Sequence, residues 1–351
     1  MTDARALLER HRPRLVYDSQ EAYFASHAAI WTDSPTNVLR RAGGTVAPPR
    51  LNLGFLGPHT YADGRRVLAA DTIGDTTRTY AANAKALPHY RDVVHGHARR
   101  DRHGRLWLQY WLFYYYNDFR LLGDLFSAGK HEGDWELVQL RLDAPGKPDL
   151  AVFTQHRTAE RRPWADVRKA GDAPLVYVAR GSHANYFRPG LHATGAWFDQ
   201  ADGRGPQIRP ELDVVEDTTP WMLWPGRWGD TKATSSPIDS NSPTSPGRRA
   251  HWLDPAALAA TAGRELPAPP GPRVTVRRAG VIAYEAPPDA TALVVATRRA
   301  GEPATVRALP LDTPSGELDV DDGEVWVSAV REDGVPSAGV SPYCASPPRS
   351  P

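Results

Sequence analysis

The chain has 351 residues, 41% of them hydrophobic and 24% charged, with a formal net charge of +1 at pH 7. That length suffices for two domains and a sizeable core, and the balanced charge gives no reason to expect a nucleic-acid partner. A single cysteine, Cys344, excludes an intramolecular disulfide. The charged start, MTDARALLERHRPRL, lacks the apolar stretch of a secretory signal. No run approaches the ~20 apolar residues of a membrane span. The expected location is cytoplasmic.

In chain order, TDARALLER (2–10) and TTRTYAANAKAL (76–87) read as short helices. RLWLQYWLFYYY (105–116) is apolar on both alternating sets. Leu106, Leu108, Tyr110, Leu112, Tyr114 and Tyr116 fall on one face; Trp107, Trp111, Phe113 and Tyr115 fall on the other. Such a strand is expected at the centre of a sheet, covered on both sides. Residues 134–142, 149–156 and 173–187 read as further strands of one sheet whose ends collect polar residues. WPGRWGD (224–230) reads as a turn held by packed tryptophans, and SSPIDSNSPTSPGRR (235–249) as an exposed loop. DPAALAATAGREL (254–266) reads as a helix with Asp254 as N-cap and Pro255 at its first position. APPGPR (268–273) marks a boundary, and the short alternating strands after it describe a small β-sandwich. Within it, VSAVREDGVPSAGVSPY resembles a fibronectin type III-like domain. The expected fold is mainly β: a β-sandwich with a few helices over 1–267, then a fibronectin type III-like sandwich over 268–351.

GKHEGDWELVQLRL (129–142) carries the chemistry. On a strand, Asp134 and Glu136 point to the same side. His131 has the wrong parity, but a bend at Gly133 would swing it onto the carboxylate side. Two carboxylates this close repel unless a cation lies between them or one keeps its proton. A divalent ion is one solution, and a salt bridge to Lys130 or an arginine is the other. Asn117, Asp118, His156, Ser182, His183 and Asn185 lie at the expected ends of neighbouring strands. An oxygen-plus-imidazole set suits Mg²⁺, Mn²⁺ or Ca²⁺ ahead of Zn²⁺. There is no His-Glu-x-x-His helix, no nucleophile elbow, no phosphate-binding glycine loop and no dinucleotide fingerprint.

With LQYWLFYYYND, GKHEGDWELVQL, VYVARGSHANYF, WPGRWGD and HWLDP in place, residues 12–255 resemble the vacuolar protein sorting-associated 62 family. HEGDWE and GSHANYF are its specific blocks. A more distant resemblance is to the necrosis- and ethylene-inducing peptide-like proteins, β-sandwiches with a His-x-x-Asp-Trp-Glu heptad that binds a divalent metal used against plant membranes. Carried over, the resemblance implies His131, Asp134 and Glu136 as metal ligands, with Asp118 (or Asn117) as the upstream member. This chain departs from the toxin pattern at Gly133, in its single cysteine and in its charged start, which speaks against a secreted cytolysin.

The expected function is a metal-dependent enzyme acting on a small, partly apolar substrate, with His156 or His183 moving protons beside the ion. The alternative is a non-catalytic module in which the metal grips a lipid headgroup or glycan. The expected partner is a small-molecule or lipid-like ligand, with a membrane surface as a further option.

Overall fold

The structure is a computed structural model that describes residues 4–41, 44–121, 126–127, 130–144, 146–156, 158–193, 198–230, 242–264, 270–299, 305–331, 337 and 340–342. Residues 235–241 of the 235–249 loop, the start of the 268–273 boundary and Cys344 lie outside the described residues; the rest of that loop is not the exposed segment expected, since Ser242 and Ser245 are buried. The chain divides into two compact units. One holds Met1–Phe119, Ala128–Arg188 and Asp202–Glu265; the other holds Arg120–Ser127, Pro189–Ala201 and Leu266–Pro351.

The first unit is built on two facing sheets, with a three-stranded sheet of Gly44–Ala47, Asn37–Arg41 and Thr72–Asp75 beside them. The larger has seven strands in the order Glu211–Val214, Val93–Arg100, Leu106–Asn117, His131–Ala144, Lys147–Gln155, Thr158–Pro163 and Gly263–Arg264. The aromatic strand Leu106–Asn117 is central, as its double-sided apolar pattern requires. It pairs antiparallel with the motif strand His131–Ala144, setting Tyr114 opposite Asp134 and Leu112 opposite Glu136. The smaller sheet contains Arg14–Tyr17 running parallel to Ala173–Val178, with Asn185–Tyr186 folded back on the latter.

Leu108, Tyr110, Leu112, Tyr114, Val138 and Leu140 of the large sheet pack on Leu15, Tyr17, Val176 and Val178 of the small one. This is the inter-sheet core of a sandwich. The opposite face of the large sheet carries Trp111, Phe113, Tyr115, Trp135 and Leu137. It is covered by Trp31, Leu39 and Ile73 from the first part of the chain and by Trp221, Trp224, Trp228 and Trp252. Replacing any of these buried tryptophans by alanine is expected to cost about 3–5 kcal/mol.

Two departures from the sequence reading bear on the site. Ala173–Val178 does not extend the aromatic sheet; it lies in the facing one, so the turn after it approaches the motif strand from across the core. Tyr116 leaves the face of Tyr114 and packs with the tryptophan-rich layer. The motif strand swaps faces at the same level, for a reason given below.

The three helix expectations correspond to Ala4–His11, Tyr80–Ala86 and Pro255–Thr261. Pro255 starts the last, while Asp254 makes no side-chain cap bond. The WPGRWGD turn packs Trp224 against Trp228 edge-on, with ring centroids 5.8 Å apart. In the second unit, two three-stranded antiparallel sheets face one another. Arg273–Arg278, Val281–Glu285 and Ser315–Asp319 form one; Ala290–Arg298, Thr305–Pro310 and Glu324–Arg331 form the other. Ile282, Leu293, Val295, Val325 and Val327 fill the space between them.

Candidate metal centre

Gly133 is the residue that builds the site. Its φ is +55°, in the left-handed region, and a Cβ there would stand 2.1 Å from the Trp228 carbonyl oxygen. Only glycine accepts both constraints. The bend breaks the strand's alternation. Glu132, which parity would place beside Asp134, instead accepts hydrogen bonds from the Tyr80 hydroxyl (2.9 Å) and the Asp230 amide (2.9 Å). His131 turns to the carboxylate side, with Nε2 3.9 Å from Asp134 Oδ1.

The His131 ring is held in one tautomer. Nδ1 lies 2.7 Å from the Gly133 carbonyl oxygen, which can only accept, so Nδ1 carries the proton and Nε2 presents a lone pair. Metal-bound histidines use this arrangement, the second nitrogen donating to a carbonyl or carboxylate. The Asn117 amide nitrogen approaches Nε2 at 3.2 Å, and its oxygen accepts from the Phe119 amide. Two donors that share an ion at about 2.1 Å each are separated by roughly 3–4 Å, which suits His131 Nε2 and Asp134 Oδ1.

Asp134 and Glu136 are each 6% exposed. Asp134 Oδ2 accepts from His183 Nδ1 at 2.9 Å. Burial pushes Asp134 up, but the His183 hydrogen bond and the charges of His183 and Arg249 oppose it, and the carboxyl stays below its ordinary value. Glu136 goes the other way. Burial and the Asp134 charge push it to about 8, against a hydrogen bond from the Thr154 hydroxyl. A buried acid kept protonated by its neighbour is what an acid pair looks like before a cation joins it. For His183, burial alone would lower the pKa; the Asp134 hydrogen bond and the nearby Glu21 lift it to about 9.

His131 therefore meets Asp134 at the strand end, Glu136 follows on the same side of the strand without all three offering ligand atoms within 4.8 Å of one another, and His183 reaches Asp134 from the facing sheet. His183 is fully buried and stacked on Tyr114, ring centroids 3.9 Å apart and planes 2° from parallel. It stands behind Asp134, away from solvent. His156 is exposed, with its ring 5.5 Å from Phe119 and its charge felt at Glu136. Both histidines have positive φ, +55° and +57°, a backbone state that side chains other than glycine seldom adopt without a local demand. Asp118 pairs with Lys130 Nζ at 3.0 Å, so of the two upstream candidates it is Asn117 that touches His131. Sequence reasoning missed Thr154 and Glu21. Neither lies in a polar motif: Thr154 sits within an apolar strand and Glu21 within the DSQEAYF loop.

A second histidine–carboxylate group stands elsewhere in the first unit. Among the described residues, ligand-type atoms of His27, His95 and Asp213 lie within 4.8 Å of one another. Here the tautomers run the opposite way. The Ala28 amide donates to His95 Nε2 and the Ala29 amide to His27 Nδ1, both at 3.2 Å. The ring protons must sit on the nitrogens facing Asp213 Oδ2, at 2.8 Å for His95 and 3.4 Å for His27. Burial pushes Asp213 up, but the hydrogen bonds from His27 and His95 outweigh it and hold it far below the carboxylate range. An ion in this place would have to strip a proton from each ring. The hydrogen bonds already account for the convergence.

No protein-family model matches the chain. A Saccharomyces cerevisiae protein, TDA6, named as a candidate vacuolar protein sorting-associated protein, is 28% identical, with 36% of this chain and 36% of the relative covered. The chain thus spans about a third of that curated relative. The motif-borne resemblance to the vacuolar protein sorting-associated proteins is shown, at low identity. Similar solved structures include NLPPya in complex with glucosamine and with mannosamine, each at 12% identity and TM-score 0.36, covering 75% of this chain and 92% of the other. Another, described as a toxin fold for microbial attack and plant defense, has 14% identity and TM-score 0.34 over the same shares. Scores of this size carry no argument about function. No helix among the described residues is long and apolar enough to cross a membrane.

Proposed function

We propose that the chain binds a divalent cation through His131, Asp134 and Glu136, with Asn117 beside them, and uses that ion to grip a small oxygen-bearing ligand such as a lipid headgroup or glycan. The observation that supports this reading is the His131 tautomer: Nδ1–H donates to the Gly133 carbonyl, and the Nε2 lone pair lies 3.9 Å from buried Asp134, where the Asn117 amide, 3.2 Å away, donates to it and would have to give way to an ion. Oxygen donors with one imidazole favour Mg²⁺, Mn²⁺ or Ca²⁺. When bound, such an ion polarises an oxygen of its ligand. The protein's own part is to orient Asp134 through His183, to hold Glu136 through Thr154 and to keep water away from both acids.

Binding stands ahead of catalysis because His183, one of two candidate proton carriers, is walled off behind Asp134. The enzyme reading is favoured by one feature, His156. It is exposed, strained in its backbone and close enough to Glu136 to affect its charge. In that reading His156 exchanges a proton with a substrate held at the ion. We read the C-terminal sandwich as a fibronectin type III-like module that carries no chemistry.

Mn²⁺ titration by calorimetry, with His131→Ala and Asp134→Ala as controls, tests the cation site. One site per chain in the wild type, lost in both variants, is expected. Equal heats in all three proteins would refute it. Metal-dependent retention on liposomes or glycan arrays without turnover would favour binding over the enzyme reading.

A further inference from the structure

Behind Asp134 the structure holds a buried line of groups that ends at Glu21. The His183 ring is fixed in plane by Tyr114 and at one end by Asp134 Oδ2, 2.9 Å from Nδ1. Its other nitrogen, Nε2, faces Glu21 Oε1 at 3.8 Å, an ion-pair distance rather than a hydrogen bond. The Glu21 side chain is 1% exposed. A carboxylate is that deeply buried only where other groups satisfy it. Three amides do so: Ala22 and Tyr23 donate to Oε1 at 2.8 and 2.9 Å, and Gly181 donates to Oε2 at 2.8 Å.

The Gly181 contact makes Glu21 more than a local turn residue. Gly181 belongs to the tight turn that carries His183, and its φ is +68°. A Cβ on Gly181 would stand 2.3 Å from the Asp118 carbonyl oxygen, and the Asp118 amide donates to the Gly181 carbonyl at 2.9 Å. The turn is therefore clamped from two sides. Asp118 ties it to the end of the aromatic strand, next to Asn117 and His131. Glu21 ties it to the loop between residues 18 and 27, and also faces the imidazole.

We propose that Glu21 is a positioning residue for the cation site: it holds the His183 turn and ring so that Asp134 Oδ2 stays engaged and Oδ1 stays turned toward His131. This rests on the cation reading above. The arrangement runs carboxylate, imidazole, carboxylate, ion. Outer partners of this kind typically alter metal affinity by 10–100-fold when removed, because the ligand loses its fixed orientation.

The test compares Mn²⁺ affinity in wild type, Glu21→Gln and Glu21→Asp, using Mn²⁺ alone as the probe, with ¹⁵N spectra of the His183 ring recorded on Mg²⁺ addition. Glu21→Gln is expected to bind Mn²⁺ at least about tenfold more weakly, with Glu21→Asp recovering part of the loss. In the wild type, Mg²⁺ should shift both His183 ring nitrogens, and in Glu21→Gln that shift should shrink, a change that a purely structural Glu21 would not produce. Affinity within twofold of wild type in Glu21→Gln overturns the proposal. Should that variant fail to fold, a His183 ring unmoved by Mg²⁺ overturns it instead. Wild-type protein that binds no Mn²⁺ would sink the cation site itself, which is a different failure from wild-type binding that ignores Glu21.

Discussion

Two places in the first unit bring histidines and carboxylates together, and their hydrogen bonds run in opposite directions. At His27, His95 and Asp213 the donor atoms converge more tightly than at the motif strand. Yet each ring turns a proton toward the acid, because a backbone amide occupies its other nitrogen. At His131 Nδ1–H donates to the Gly133 carbonyl, which leaves the Nε2 lone pair on the Asp134 side, where the Asn117 side-chain amide donates to it. Proximity favours the first group as a metal centre; the proposal of the second rests on which ring nitrogens carry protons. The lesson concerns tautomers. A cluster of ligand types is a metal site only when the nitrogens that converge are free of protons.

Substitutions separate the two groups. The largest effect is expected for Asp134→Ala. It should abolish Mn²⁺ binding, a loss of at least about 100-fold by calorimetry. It should also leave the His183 imidazolium buried without its partner, costing about 3–5 kcal/mol in urea unfolding. Gly133→Ala comes next. A left-handed φ and a clash with the Trp228 carbonyl should cost about 2–4 kcal/mol and remove cation binding with it, because His131 could no longer reach the acid side.

A smaller, graded effect follows from Glu136, lifted to about 8 by burial and Asp134. An acid whose folded pKa exceeds its unfolded one contributes stability that is complete below the unfolded value, near 4.5, and lost as pH rises through about 8. His183, raised from 6.5 to about 9, has the same sign. Cation-free protein should thus lose resistance to urea as pH rises from about 5 to 9. Mn²⁺ affinity should climb by up to about tenfold per pH unit until Glu136 has ionised, then level off. A flat affinity profile over that range would contradict the assignment. The smallest effect on binding is expected for His95→Ala. It should destabilise the fold by removing a buried donor to Asp213 while leaving Mn²⁺ affinity within twofold of wild type.

Much of this was legible in the residues. The double-sided apolar run of the aromatic strand foretold its central place. The parity of Asp134, with a bend at Gly133, foretold that His131 would turn to the Asp134 side of the strand. The alternating strands after residue 270 foretold two small facing sheets. What could not be read is what crosses between sheets. GSHANYF looked like the end of a neighbouring strand of the aromatic sheet, but it reaches Asp134 from the opposite one, since strand patterns encode faces and not partners. Glu21 stands 162 residues upstream of His183 in an unpatterned loop, and Thr154 reads as one more β-branched strand residue. The tautomers that separate the two histidine groups depend on single backbone contacts, which no spacing rule reports.

The central claim is that one cation sits between His131, Asp134 and Glu136. It is tested most directly by an anomalous difference map from crystals of the protein soaked in Mn²⁺. The account predicts a single strong peak within bonding distance of His131 Nε2 and Asp134 Oδ1. A peak at His27, His95 and Asp213 instead, or none at either place, would contradict it.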